Sequence, residues 1–210
     1  MIKAISFDLD GTLADERFDK LVWHQEIPAL YAKEYGLNFQ DAYKHVSTEY
    51  SRMEGKTDRW LDIAFWFEHL KLKTDWRTLV HGMKDELKVF DDVIPCLKQL
   101  KQHYRLVVIS LADRKFITLK MEADWLERYF DNIFSASSDF NKLVKDKSLY
   151  RSVLKRLGLS AEELVHVGDN IQFDYAVPNS LGITSFIIDR HGAHAGPHVI
   201  RSLHELEGKL

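Results

Sequence analysis

Five short runs rich in apolar and β-branched residues constrain this chain more than any other feature. They are IKAISFD (2–8), RLVVIS (105–110), NIFS (132–135), LVHVGD (164–169) and ITSFIID (183–189). Most lack polar alternation, as strands covered on both faces do. Helical patterns separate the later runs. DVIPCLKQLKQHY carries Val93, Ile94, Leu97 and Leu100 at helical spacing, and KFITLKMEADWLERYF carries Phe116, Leu119, Ala123, Leu126 and Phe130. SLYRSVLKRLG ends on Gly158, a helix stop, and Ser160 to Glu163 reads as a capping box opening a short helix.

Strand, helix, strand, helix predicts an α/β fold: a Rossmann-like parallel sheet with helices on both faces. In such sheets ligands bind beyond the carboxyl ends of the strands. Asp8, Ser110 and Asp169 each fall at such an end. The alternation is interrupted once. Residues 15–88 contain no convincing strand, only aromatic-rich helical text such as LVWHQEIPALYAKEYG and RWLDIAFWFEHLKL. The expected organisation is therefore a core of residues 1–14 and 89–210 with a helical subdomain, 15–88, inserted after the first strand.

Asp8 closes the first run and Asp10 follows two residues later. Residues two apart on a strand point the same way, so both can face one site unless the chain turns sharply at Gly11. Adjacent carboxylates coexist if one stays protonated or a cation neutralises them. VGDNIQFD supplies Asp169 and, five residues on, Asp174. Carboxylates from two strand ends make an oxygen-rich site suited to a hard cation such as Mg2+. The competing reading has Asp8 capping a turn and Asp169 capping a helix.

Taken in order, D-L-D-G-T-L after a strand, VVIS at a second strand end, a lysine before a helix and V-G-D-x4-D after a later strand resemble the haloacid dehalogenase-like superfamily of phosphohydrolases. The resemblance covers nearly the whole chain and places the helical insert where that superfamily carries its cap. It implies a Mg2+-dependent phosphatase acting on a small phosphorylated metabolite through an aspartyl-phosphate. Asp8 would be the nucleophile, and Asp10 would protonate the leaving oxygen and then activate water. Asp8, Asp169 and the backbone carbonyl of Asp10 would hold the metal. Ser110 and a lysine would bind the phosphoryl group, with Thr12 serving structure or phosphate and Gly11 the tight turn. Asp174 could bind metal, orient a water or hold the lysine.

Three features depart from the family pattern. The usual Lys-Pro pair is missing, so Lys142, Lys145 and Lys147 all compete for the lysine role; spacing from Leu157-Gly158 favours Lys145, then Lys147. Leu111 follows Ser110 where many relatives have Asn. Pro178 would disturb a helix beginning at Asp174. Within the superfamily, Asp10 favours phosphate chemistry over dehalogenation, because an alkoxide leaving group needs a proton and a halide does not. A phosphomutase shares the core. A phospho-aspartate switch of the receiver type is the rival from another class, although its acidic pair precedes the phosphorylated aspartate and it lacks such an insert.

Composition narrows the partners. A net charge of −3 without a basic stripe argues against nucleic acid. No run of ~18 apolar residues suggests a membrane span, and AISF is too short for a signal peptide, so a cytoplasmic protein is expected. Cys96, the only cysteine, reads as a buried small hydrophobe. In the insert, Trp60, Ile63, Ala64, Phe67 and Leu70 form one stripe, with Phe65 and His69 on the other face. That pair either packs within the subdomain or reads the leaving group. His191, His194, His198 and His204 read as a surface loop past the last strand, and His166 as a strand residue that packs or hydrogen-bonds. Oligomeric state is left open.

Overall fold

A computed structural model describes residues 1–57 and 59–210. The chain divides into two compact units, Met1–Asp15 with Val89–Leu210, and Glu16–Lys88.

The first unit is a parallel six-stranded sheet. Its strands are β1 (Ala4–Phe7), β2 (Arg105–Ser110), β3 (Asn132–Ser135), β4 (Leu164–Gly168), β5 (Thr184–Ile188) and β6 (Val199–Ile200), in the order β3-β2-β1-β4-β5-β6. The order reverses at β1, whose neighbours β2 and β4 run in register: Phe7 lies opposite both Val108 and Val167. That reversal is where a parallel sheet opens a crevice beyond its carboxyl ends, and Asp8 follows it directly.

Strand residues alternate between two buried clusters, as the two-residue period requires. Ile5, Phe7, Leu106, Val108, Val165 and Val167 pack with Val93, Leu97 and Leu100 of the helix Val93–Leu100. Ala4, Val107, Ile109 and Leu164 pack on the other face with Leu149, Tyr150 and Val153 of the helix Lys147–Leu157. Asp146 caps the start of this second helix and Gly158, at φ 69°, ends it. The capping box from Ser160 to Glu163 is present.

Two elements differ from the sequence reading. β6 is a sixth strand, so the histidine-rich segment precedes a strand rather than following the last one. It is two residues long, too short to stand out by periodicity, and is held by the Ile187 amide on the His198 carbonyl and the Asp189 amide on the Ile200 carbonyl. His191, His194, His198 and His204 are all exposed. The predicted continuous helix through residue 130 stops at Glu122, because Asp124 and Trp125 adopt left-handed backbone (φ 48° and 56°). That kink leaves Trp125 exposed while Leu126 and Tyr129 return to the core.

The second unit is helical: Arg17–Leu21, Ile27–Tyr35, Phe39–Met53, Ile63–His69 and Trp76–Gly82, with a wide π-helical turn at Val22–Glu26. Asn38, Asp62 and Asp75 cap three of these helices with their side chains. Gly36, at φ 66°, ends Ile27–Tyr35. Asp62 starts the fourth helix after Trp60, so the apolar stripe begins at Ile63 and includes Trp66, which is buried. Trp23, Tyr50 and Trp66 pack edge to face around a cavity of about 270 Å³ also lined by Trp60 and Glu54. Phe65 stacks on His69, and His69 meets the Glu49 carboxylate at 2.7 Å.

Candidate active site

The site grows from the end of β1. The Asp8 amide still donates to the Val167 carbonyl, prolonging strand pairing by one residue. The chain then turns: the Ala14 amide donates to the Leu9 carbonyl and the Gly11 amide to the Ala14 carbonyl. Gly11 sits at φ 75°, and a β-carbon there would lie 2.3 Å from an Asp169 oxygen. Glycine is needed both for the left-handed turn and for this close approach. Gly168 plays a similar part at the end of β4, where a β-carbon would meet the Asp174 side chain at 2.4 Å.

These turns bring acids together. Asp8, Asp169 and Asp174 each offer an oxygen, all within 4.8 Å of one another. Asp8 is 7% exposed and Asp174 fully buried. Among the three competing lysines, Lys145 is the one beside Asp8: its Nζ lies 2.7 Å from Asp8 Oδ1 and 2.6 Å from Asp174 Oδ1. Lys142 pairs instead with Asp146, and Lys147 is the exposed first residue of its helix.

Asp174 is engaged on every side. Besides Lys145, its Oδ1 meets His166 Nε2 at 3.1 Å, and its Oδ2 accepts the Asn170 amide at 3.1 Å. His166 in turn meets Ser6 Oγ at 2.8 Å through Nδ1, and Tyr150 OH, which donates to the Phe173 carbonyl, lies 3.1 Å from Nε2. With Nε2–H donating to Asp174, Nδ1 is left to accept the Ser6 hydroxyl, whose alternative acceptor is the Val165 carbonyl at 3.2 Å. Pro178 is accommodated because residues Ile171–Ala176 form a wide π-helical turn ahead of it, easing the clash a tighter helix would make.

Burial governs the electrostatics. It pushes the Asp8 carboxyl well above the usual carboxylate range; Lys145 opposes this, and Asp174, Asp169 and Asp10 add to it. Burial also opposes ionisation of Asp174, but Lys145 and His166 outweigh it and hold the carboxyl well below the usual range. Burial keeps His166 below its ordinary value. The cluster therefore pairs a well-satisfied anion, Asp174, with a carboxyl, Asp8, whose ionised form burial first and then its acidic neighbours leave short of positive charge. That shortage, in an all-oxygen donor set, fits a hard divalent cation.

The remaining candidates have different surroundings. Ser110, 1% exposed at the end of β2, accepts the Ala112 amide on Oγ at 3.1 Å. The Thr12 hydroxyl is fully buried and has no hydrogen-bond partner among the described residues. Its carbonyl accepts from Arg190, which also pairs with Asp92 and lies over the Phe90 ring at 3.8 Å.

Asp10 brings in a residue the sequence reading passed over. Its Oδ1 accepts from Lys120, a lysine 1% exposed on the helix Arg114–Glu122. The signal was available. Lys120 stands four residues after Phe116 and three after Ile117, so it shares the inward face with both. A charge on an apolar face needs a partner.

A parallel α/β unit with an acidic, lysine-bridged crevice at its strand ends can hold a hard cation and an anionic ligand. The chain belongs to the haloacid dehalogenase-like hydrolase family, whose model matches residues 2–182. It is similar to the GMP/IMP nucleotidase YrfG of Escherichia coli (strain K12), 26% identical over 170 residues, covering 80% of this chain and 75% of that protein. It is also similar to the glyceraldehyde 3-phosphate phosphatase of Methanocaldococcus jannaschii, 25% identical over 226 residues, covering 98% and 96%. Among solved structures, a HAD phosphatase from Thermococcus onnurineus superposes with a TM-score of 0.84 at 25% identity, covering 99% of this chain and 97% of that one.

Proposed function

We propose that this hydrolase is a Mg2+-dependent phosphatase that cleaves a small phosphate monoester through an aspartyl-phosphate on Asp8. The observation that carries the reading is the placement of Asp8: at the switch point of the sheet, bridged by Lys145 and crowded by Asp169 and Asp174. The relatives named as a nucleotidase and as a glyceraldehyde 3-phosphate phosphatase support a small phosphorylated substrate. The helical unit 16–88 is proposed as the family's cap.

Asp8, Asp169 and the Asp10 carbonyl would hold the cation. When bound it supplies positive charge that offsets repulsion between an anionic nucleophile and an anionic substrate. An Asp8 oxygen attacks phosphorus, and the bond from phosphorus to the ester oxygen breaks. Asp10, protonated for this step, gives its proton to the departing oxygen. Water then attacks phosphorus, Asp10 takes the proton back, and phosphate leaves with Asp8 restored as a carboxylate. Lys145 binds a phosphoryl oxygen and keeps Asp8 aimed, while Asp174, tied to His166 and the Asn170 amide, holds Lys145 in place. Ser110 and Thr12 donate hydroxyls to the phosphoryl group; the unpartnered Thr12 hydroxyl agrees with such a demand.

The test is hydrolysis of p-nitrophenyl phosphate by wild type and Asp8→Asn, with Mg2+ or with EDTA. Metal-dependent turnover that Asp8→Asn reduces at least ~10³-fold is the expected result, given the size of nucleophile losses in covalent catalysis. Turnover retained by Asp8→Asn would overturn the reading. Nucleoside monophosphates and triose phosphates are the first natural esters to compare.

A further inference from the structure

We propose that Lys120 is a positioning residue for Asp10, a buried cation that pins one carboxylate oxygen so that the other stays aimed at the leaving oxygen and then at the attacking water. The inference rests on the aspartyl-phosphate reading above and adds a residue to it.

Lys120 lies on the inward face of the helix Arg114–Glu122, beside the buried Phe116, Ile117, Leu119 and Met121. Its Nζ donates to Asp10 Oδ1 and sits 5.7 Å from the centre of the Phe116 ring. Burying an ammonium is costly unless a carboxylate compensates it. Asp10 meets that requirement, and its side chain keeps 23% of its surface exposed. The torsion that turns a carboxylate plane is broad and nearly two-fold, so the plane wanders unless an oxygen is held. Proton transfer needs the acting oxygen within about 2.6–3.2 Å of its partner. Fixing Oδ1 therefore fixes where Oδ2 points. The site thus carries two buried lysines on two aspartates: Lys145 on Asp8 and Lys120 on Asp10.

The two half-reactions need Asp10 differently, and this makes the role testable. Nitrophenolate leaves without a proton, so phosphorylation of Asp8 by p-nitrophenyl phosphate bypasses Asp10. Glycerol phosphate expels an alkoxide and needs the proton. Hydrolysis of the aspartyl-phosphate needs Asp10 whatever the ester. The expected result for Lys120→Met with p-nitrophenyl phosphate is a first turnover near the wild-type rate. Steady turnover then follows about 10- to 100-fold slower, a part of the roughly 10²- to 10⁴-fold that a positioned acid–base group contributes, because Asp10 itself is still present. With glycerol phosphate both phases slow and the burst disappears. Lys120→Arg recovers part of the loss. In an Asp10→Asn background, Lys120→Met changes the rate less than ~2-fold, because the residue acts through Asp10. Equal losses with both esters and no burst, or losses that multiply in the double variant, would overturn the proposal. If Lys120→Met fails to fold, Lys120→Arg alone decides it: a burst supports positioning and a uniform slowing overturns it. Absence of turnover in the wild type would count against the phosphatase reading instead. The pairing would then be judged by melting temperatures, with non-additive shifts for Lys120→Met and Asp10→Asn supporting it and additive shifts overturning it.

Discussion

The two units bury different chemistry. Every buried polar or charged residue among the described residues belongs to the α/β unit, including Asp8, Lys120, Lys145, His166 and Asp174. Among the described residues, the side chains that the helical unit buries most deeply are apolar ones such as Phe18, Val46, Ile63, Trp66 and Phe67, and its ion pairs lie nearer the surface. A buried ion pair and an exposed one differ in what losing a partner costs. The buried one leaves an uncompensated charge away from water, whereas the exposed one returns both charges to solvent. The α/β unit therefore carries reactive electrostatics at a risk to its own stability. The helical unit offers aromatic faces and a cavity, held by packing.

Asp174→Ala is the severest test of that contrast. It strips Lys145 of its shorter carboxylate contact and His166 of its acceptor, so a loss of ~3–5 kcal/mol is expected, together with loss of turnover. Chemical denaturation measures the first and phosphate release the second; a stability loss below about 1 kcal/mol would break the comparison.

Asp146 stands between the extremes, at the start of the helix Lys147–Leu157. Burial pushes its carboxyl up, but Lys142, the Leu149 amide and Ser148 outweigh this and hold it at about 2. Because the folded value is depressed, its stabilisation is fully present above the unfolded value of 3.8 and is lost as pH falls toward about 2. The cap contributes ~1 kcal/mol, and solvent screening keeps the charged part small. Asp146→Asn keeps the cap without the titration. The stability gap between wild type and this variant should therefore shrink as pH is lowered through that window, and a constant gap would count against the assignment.

The smallest effect belongs to the helical unit. Glu49, held below its ordinary value first by its hydrogen bond to His69, is partly exposed, so Glu49→Gln should cost only ~0.2–1 kcal/mol. A loss rivalling that of Asp174→Ala, read by the same denaturation experiment, would mean that the helical unit also depends on a desolvated charge pair.

Much of this was legible in the chain. Strand periodicity exposed five of the six strands, because a run flanked by helices and apolar on both faces has few other ways to bury itself. β6 escaped, since two residues have no period to detect. The helix after β2 was overextended because Asp124 and Trp125 look helical by spacing and their left-handed backbone has no composition signal. The acidic residues Asp8, Asp10, Asp169 and Asp174 could be picked out because several carboxylates gathered after two strand ends need a proton or a cation to coexist. Their partners could not be ranked with equal ease. Lys142, Lys145 and Lys147 lie within six residues, and only the turn ahead of the helix determines which ammonium reaches Asp8.

By itself, then, the sequence determined the parallel α/β plan and the carboxylates at the strand ends. These follow from local periodicity and from the rule that strands joined through crossover helices run parallel. Tertiary structure alone decided that Asp174 is bound to Lys145 and His166, that Thr12 keeps an unpartnered hydroxyl, and that Lys120 reaches Asp10 across 110 residues. Each of these depends on distances between elements far apart in the chain, where a shift of one hydrogen-bond length separates a paired buried charge from an impossible one.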